Sequence, residues 1–421
     1  MLKVSGHYLD FSQRKESCER LLWILTLLFP ATVALEHGVS SVFLLMFLLS
    51  IYMLIQSRPR LNNMAKYMLA GFIVLILVSL LSMINADDVD NGIRRIKKLT
   101  TFIFLIPIFM AMVSVKTNLI KPFLIGACIG GFILLGLTIY QGYYLGNVRT
   151  SGFYNEIIFG SIAVIMAQAL FVSLLFIRHK KIHLAVITLS LFSALYATIL
   201  SGTRGAWVAL IVGVPLALFM VSIKGQMPKK RIVLVLLLSI LVASIAGILS
   251  KDELTSRWNT TVQNIDSYQS GSNRDTSIGI RLIMWEAAIK IWNRNPIIGT
   301  GIGDFQKNYE KMIKSGEFPG MRKTPYAYAH STIFEALAGT GILGLIGLIV
   351  FTFFLPIVFF LKALRSSINE HDRYASVSGL VFVTAFAIFG LTENWLVHSQ
   401  LVTTFSLLLV IMASRFGAAP R

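Results

Sequence analysis

Four cationic or titratable side chains stand out where the surrounding sequence is apolar or neutral, and their types suit proton transfer beside an anion. His330 ends a long polar stretch in PYAYAHSTIFEALAGTGILGL, just before a helix-forming apolar run that should begin at about Ser331. An imidazole at such a junction could take a proton from a hydroxyl. It could equally be a capping or interfacial histidine. Arg204 stands in SGTRGAW between two apolar runs, with no acidic residue near it in the chain. Gly202 and Gly205 would let a ligand approach closely, although an arginine snorkelling toward lipid headgroups has the same surroundings. Arg281 follows Ser277 and Gly279 near a predicted helix start, where backbone N–H groups and the guanidinium could share one anion. A solvated charge on an amphipathic helix is the alternative. Arg149 opens RTSGFYNEIIFGS and could add a third positive charge, with Asn155 placed to cap the next helix. Two guanidinium forks suit a diphosphate better than two ammonium groups, because each binds oxygens in a bidentate manner.

The elements that must position these groups are membrane helices. Of 421 residues, 55% are hydrophobic and only 14% charged, against about a quarter charged in soluble domains. Apolar runs of roughly 17 to 25 residues recur, which predicts an all-α polytopic membrane protein and excludes a barrel of short alternating strands. About twelve transmembrane helices are expected, at Leu21 to Leu35, Val39 to Ile55, Tyr67 to Ile84, Leu99 to Val115, Pro122 to Tyr144, Ile157 to Ile177, Leu184 to Leu200, Ala206 to Ile223, Ile232 to Leu249, Ile333 to Leu361, Ala375 to Gly390 and Leu396 to Met412. This divides the chain into spans 1–9 over residues 1–250, one large polar loop over 251–332, which would be periplasmic if the cell is Gram-negative, and spans 10–12 over 333–421. Within the loop, Ser267 to Ser277 reads as a polar linker, and the apolar residues from Ile280 to Trp292 recur at helical spacing.

The formal charge of +18 could suggest nucleic acid, but the basic residues mostly mark topology. Alternate short connections and the termini hold about 21 of the 38, and the short connections on the other face about six. Both termini are therefore expected in the cytoplasm, with Arg149, Arg204, residues 251–330 and the turn at Glu393 outside. No nucleic-acid partner is expected. Cys18 and Cys128 offer neither a disulfide framework nor a metal site.

Two motifs invite other readings. The run from Asp87 to Asp90 resembles a metal-binding aspartate cluster, but Arg94, Arg95, Lys97 and Lys98 follow it and should neutralise it. GTGIGDF at Gly299 to Phe305 resembles a nucleotide loop, yet it follows a helix and Pro296 rather than a strand, so a tight external turn accounts for it better. Phe318, Tyr326, Tyr328, Trp258 and Trp292 give aromatic faces that suit sugars and membrane interfaces alike.

In their order, RTSGFYN, SGTRGAW, GIRLIMWEAA, GTGIGDF and AHSTIFEALAGTGILGL resemble the O-antigen ligase and polymerase family of bacterial membrane glycosyltransferases. The resemblance covers most of the chain. It implies a GT-C-like fold and a ligase that moves O-antigen polysaccharide from undecaprenyl diphosphate to the lipid A core oligosaccharide. It places the enzyme in the bacterial inner membrane, with the active site facing the periplasm. It further implies that His330 matches the essential histidine and acts as general base, that Arg204 and Arg281 engage the lipid-linked diphosphate, and that the reaction is inverting and needs no metal or other cofactor. Glu335 also falls in the family pattern, but five residues along a helix put it well round from His330. An O-antigen polymerase with a lipid-linked acceptor is the nearest rival. A transporter is a third reading, which would want ionisable groups at mid-span.

Overall fold

The computed structural model describes residues 3–56, 59–223, 237, 251–270, 276–317 and 325–419. Among these the fold is helical, with a single isolated antiparallel bridge between Leu61 and Ala418. The helices are α1 (Lys3–Thr32), α2 (Gly38–Gln56), α3 (Asn63–Ser82), α4 (Val89–Leu99), α5 (Thr101–Ser114), α6 (Ile120–Ile139), α7 (Glu156–Phe176), α8 (Lys181–Leu200), α9 (Arg204–Ile223), α10 (Lys251–Gln269), α11 (Ser277–Trp292), α12 (Phe305–Ser315), α13 (Thr332–Gly347), α14 (Leu355–Ser366), α15 (Glu370–Thr392) and α16 (Ser399–Ala413).

Ten helical stretches among the described residues are long and apolar enough to cross a membrane. They correspond to ten of the twelve expected spans. The first expected span lies in α1, whose amino-terminal half is polar and whose apolar half ends at Thr32 rather than Leu35. The ninth, Ile232 to Leu249, lies outside the described residues.

Burial sorts these helices into a centre and a surround. In α7, 94% of the apolar window is buried, and α16 and α15 follow at 78% and 72%, whereas α2 and α9 bury only 33%. The peripheral helices turn side chains such as Leu44, Leu48 and Ile211 outward, as lipid-facing helices do. Where α1 crosses α6, a Cβ at Gly126 or Gly130 would collide with the carbonyls of Leu27 and Pro30. Small residues four apart let two backbones meet where dispersion, rather than water exclusion, drives association.

The span that begins with α13 is broken. Gly341 has φ 63° and ψ −166°, so the helix stops and restarts there, and the freed N–H groups need acceptors at membrane depth. Residues 296–301 supply them. The N–H groups of Ile342 and Leu343 donate to the carbonyls of Pro296 and Ile297 at 2.9 and 3.2 Å, and those of Thr300 and Gly301 donate back to Ala338 and Gly339 at 3.1 and 3.0 Å. GTGIGDF is therefore a wedge set into the break, not a turn standing clear of the bundle. Gly301, at φ 118°, also faces the Ala86 backbone too closely to admit a side chain. Beyond Gly341 about 25 residues remain, enough for one crossing. They include a widened π segment, Leu348–Phe354, ahead of Pro356, which has no N–H to give.

The long polar segment packs on one end of the bundle. Met284, Ala287 and Ile291 of α11 form a satellite core with Phe305 and Tyr309 of α12 and Ala338 of α13. Asp304 fastens this layer to the α3–α4 connection by accepting the N–H groups of Asp87 and Asp88 at 2.6 and 2.8 Å.

Candidate functional site

Three turns carry the expected arginines to the same end of the bundle. Thr203 Oγ1 donates to the Glu156 carbonyl at 2.7 Å and Arg149 Nε to the Ser201 carbonyl at 2.9 Å. The turn before α7 and the turn before α9 are thus knitted together. Asn155 caps α7, accepting the Ile158 N–H at 2.8 Å, as its position before the apolar run suggests. Arg204 is the first residue of α9. Arg281 and Trp285, one turn apart on α11, share a face, and Trp285 stacks on Phe334 of α13 with ring centroids 5.0 Å apart. Arg149, Arg204, Arg281, Trp285, Thr392 and Glu393 all line one cavity of about 370 Å³.

His330 stands at the edge of this arrangement. The helix after it begins at Thr332, with Ser331 as an extended N-cap, so His330 lies one residue further out than a helix starting at Ser331 would have it. Its backbone is left-handed, φ 47°, a conformation that costs a β-carbon residue energy and has to be held by its surroundings. Ser331 Oγ donates to the Gly390 carbonyl and Thr332 Oγ1 to the Glu393 carbonyl, both at 3.1 Å, which pins the turn to the end of α15. The charge facing the imidazole belongs to Glu393 rather than to the helix end: His330 Nδ1 lies 3.1 Å from Glu393 Oε2.

Glu393 serves two imidazoles. Its Oε1 is 3.4 Å from His398 Nε2, and its side chain is only 3% exposed. Burial alone would raise this carboxyl, but the hydrogen bonds and charge of His330 and His398 outweigh it and hold the group at about 2. A lasting carboxylate at Nδ1 fixes the imidazole tautomer and leaves Nε2 to meet a substrate. Tyr328 lies over His330 with ring centroids 4.4 Å apart and meets His398 edge-on at 6.2 Å. Burial, reinforced by Glu393, pushes its phenol above the usual range, so it stays neutral.

The structure thus brings Arg149, Arg204 and Arg281 around one cavity, and His330 reaches that cavity through Glu393 on its wall. Glu335 is not bonded to the imidazole. It accepts the Ala329 N–H at 2.8 Å, bracing the turn that leads to His330. Among the described residues of this aromatic set, Tyr328 alone stacks on the histidine. Tyr326 packs on Tyr309, Trp292 donates to the Pro296 carbonyl, Trp258 is 70% exposed, and Phe318 lies outside the described residues. Sequence reasoning missed Glu393 and His398, although a carboxylate and a histidine in a short turn between two apolar spans are an expensive pair. The aspartate run is neutralised differently from expectation. Asp87 pairs with Lys311 at 2.5 Å, and Asp88 caps α4.

Residues of this site fall in segments that are similar to known proteins. A protein of Haemophilus influenzae described as uncharacterized is 26% identical over 340 residues, covering 80% of this chain and 82% of that protein. Residues 189–349 match the family model described as O-antigen ligase. The matched segment contains Arg204, Arg281, the wedge in the broken helix and His330, so over that part the chain is similar to the O-antigen ligase family.

Proposed function

We propose that this chain is a membrane glycosyltransferase acting as an O-antigen ligase, moving polysaccharide from undecaprenyl diphosphate to the lipid A core oligosaccharide. The observation that carries the reading is the single cavity walled by Arg149, Arg204 and Arg281 whose far wall, Glu393, holds His330. In this reading residues 1–250 and 333–421 form the membrane part and 251–332 the periplasmic part. Both termini are cytoplasmic, and the membrane is the bacterial inner membrane. His330 Nε2 takes the proton of an acceptor hydroxyl as its oxygen attacks the anomeric carbon. The bond from that carbon to the diphosphate breaks, and its electron pair leaves on the phosphate oxygen. Arg204 and Arg281, with Arg149 beside them, stabilise that growing charge. Glu393 holds the imidazole in the tautomer that can accept the proton. One inverting displacement completes the transfer, and no cofactor takes part.

The test is reconstitution of purified protein with undecaprenyl diphosphate glycan and rough lipopolysaccharide. Glycan joined to the lipid A core in the wild type, and its loss in His330→Ala, are the expected results. Growth of the glycan on undecaprenyl diphosphate would make the enzyme a polymerase instead. Equal transfer by His330→Ala would remove the histidine from the reaction.

A further inference from the structure

Four basic residues of α4 are left over from the site as described. Arg94, Arg95, Lys97 and Lys98 follow the aspartate run, but Lys311 and the α4 cap already occupy Asp87 and Asp88. Among the described residues none of the four pairs with a carboxylate. They also lie at the end of the bundle where basic residues are scarce, making up four of the roughly six in its short connections. The usual topological bias therefore does not explain them.

These four residues line one cleft of about 500 Å³ with Asn91 and Ser399, and among the described residues no carboxylate lines it. Two of them are braced. The Lys98 ammonium donates to the Val397 carbonyl, and Arg95 donates from one terminal nitrogen to the Ala327 carbonyl at 3.3 Å. Arg95 Nε is buried without a partner, and Glu335 lines a smaller cavity together with it. The cleft lies beside the histidine. Arg95 sits 5.7 Å over the Tyr328 ring, Tyr328 lies against His330, and Ser399 follows His398. The imidazole is thus flanked by two basic spaces, the three-arginine cavity on the Thr392 and Glu393 side and the α4 cleft on the Tyr328 and His398 side.

We propose that the α4 cleft is the anion subsite of the acceptor, holding phosphate groups on the saccharide that presents the attacking hydroxyl. The inference rests on the glycosyl-transfer reading. An inverting displacement brings the hydroxyl in and sends the diphosphate out on opposite faces of one carbon, so donor and acceptor anions need separate holders. Guanidinium and ammonium groups in one cleft suit a phosphate monoester, which offers several acceptor oxygens. Phosphate can also come from a phospholipid headgroup, and the experiment separates the two sources.

Arg94→Gln/Lys97→Gln removes two charges from the exposed side of α4 and leaves the histidine cluster untouched. Wild type and variant, in phosphatidylcholine nanodiscs, are titrated with rough lipopolysaccharide and with the same material dephosphorylated. Phosphatidylglycerol is the competitor. Wild type should bind the phosphorylated material about tenfold more tightly than the dephosphorylated, and the variant should bind both alike. Phosphatidylglycerol should not compete. Equal binding of the two materials by wild type, or an undiminished preference in the variant, overturns the proposal. Displacement by phosphatidylglycerol at equal concentration also overturns it, because the cleft would then serve headgroups. The wild-type comparison decides the matter even if the variant does not fold. Failure of the glycosyl-transfer reading has a separate signature, the absence of product from wild type with both substrates while these binding differences persist.

Discussion

At the scale of single residues, the arrangement is a histidine whose freedom has been removed from three directions: a left-handed backbone, a tyrosine across its face and a carboxylate at Nδ1. His330→Ala should lower turnover by about 10²- to 10⁴-fold, the usual worth of a general base, with donor binding intact. Glu393→Gln keeps the size of the side chain but not its charge, and should lower turnover by about 10²-fold with little change in KM, as measured by glycan transfer. Arg204→Lys keeps the charge but loses the planar fork and should slow transfer by about tenfold, whereas undiminished activity would show that bidentate contact is not needed. Glu393 also sets a pH dependence. Because its folded value, about 2, lies below the ordinary 4.5, its contribution to stability is complete above pH 4.5 and is lost as pH falls through about 2. That contribution is on the order of 3 kcal/mol. Melting curves from pH ~5 to ~2 should therefore fall more steeply for wild type than for Glu393→Gln. The arginines were legible in the sequence because a charge beside an apolar run needs a reason. The partner of His330 was not, because it lies 63 positions further on and nothing local links the two.

At the scale of elements, the apolar runs declared their helices, and the amphipathic spacing from Ile280 to Trp292 declared α11. The break in α13 stayed hidden. AGTGILGL reads as a small-residue stretch of an ordinary membrane helix, and the acceptors that permit the break belong to Pro296 and Ile297. This difference predicts opposite fates for two glycines. Gly341→Ala puts a side chain at φ 63° and against the Ile297 carbonyl, so it should destabilise by at least about 1–3 kcal/mol. Gly136→Ala, on α6, meets nothing within 4 Å and should stabilise by up to about 1 kcal/mol. Thermal unfolding in detergent would check both, and a Gly341→Ala protein as stable as wild type would mean that the wedge is dispensable.

At the scale of the whole molecule, two sets of contacts separate the ends of the bundle. One end joins Asn85 to Gly299, Arg149 to Ser201 and His330 to Glu393. The other joins Asn62 to the Phe416 and Ala418 carbonyls and Arg415 to Asp372 at 2.5 Å. This is the grouping that alternation of connections with the charge bias implies. With Cys18 and Cys128, both buried, replaced by alanine, Ser270→Cys should react with an impermeant maleimide from outside intact spheroplasts. Ser366→Cys should react only after lysis. The reverse pattern would invert the topology.

The placement of Glu393 has a consequence for biosynthesis. Ribosomes insert such chains from the amino terminus onward, so the arginines at 149, 204 and 281 and the histidine are all translated before the carboxylate that orients it. Thr392 and Glu393 also wall the three-arginine cavity, so neither that cavity nor the oriented imidazole is complete until the last hairpin, α15 and α16, has entered the bilayer. The order of residues along the chain thus makes the site the last part of the molecule to be assembled.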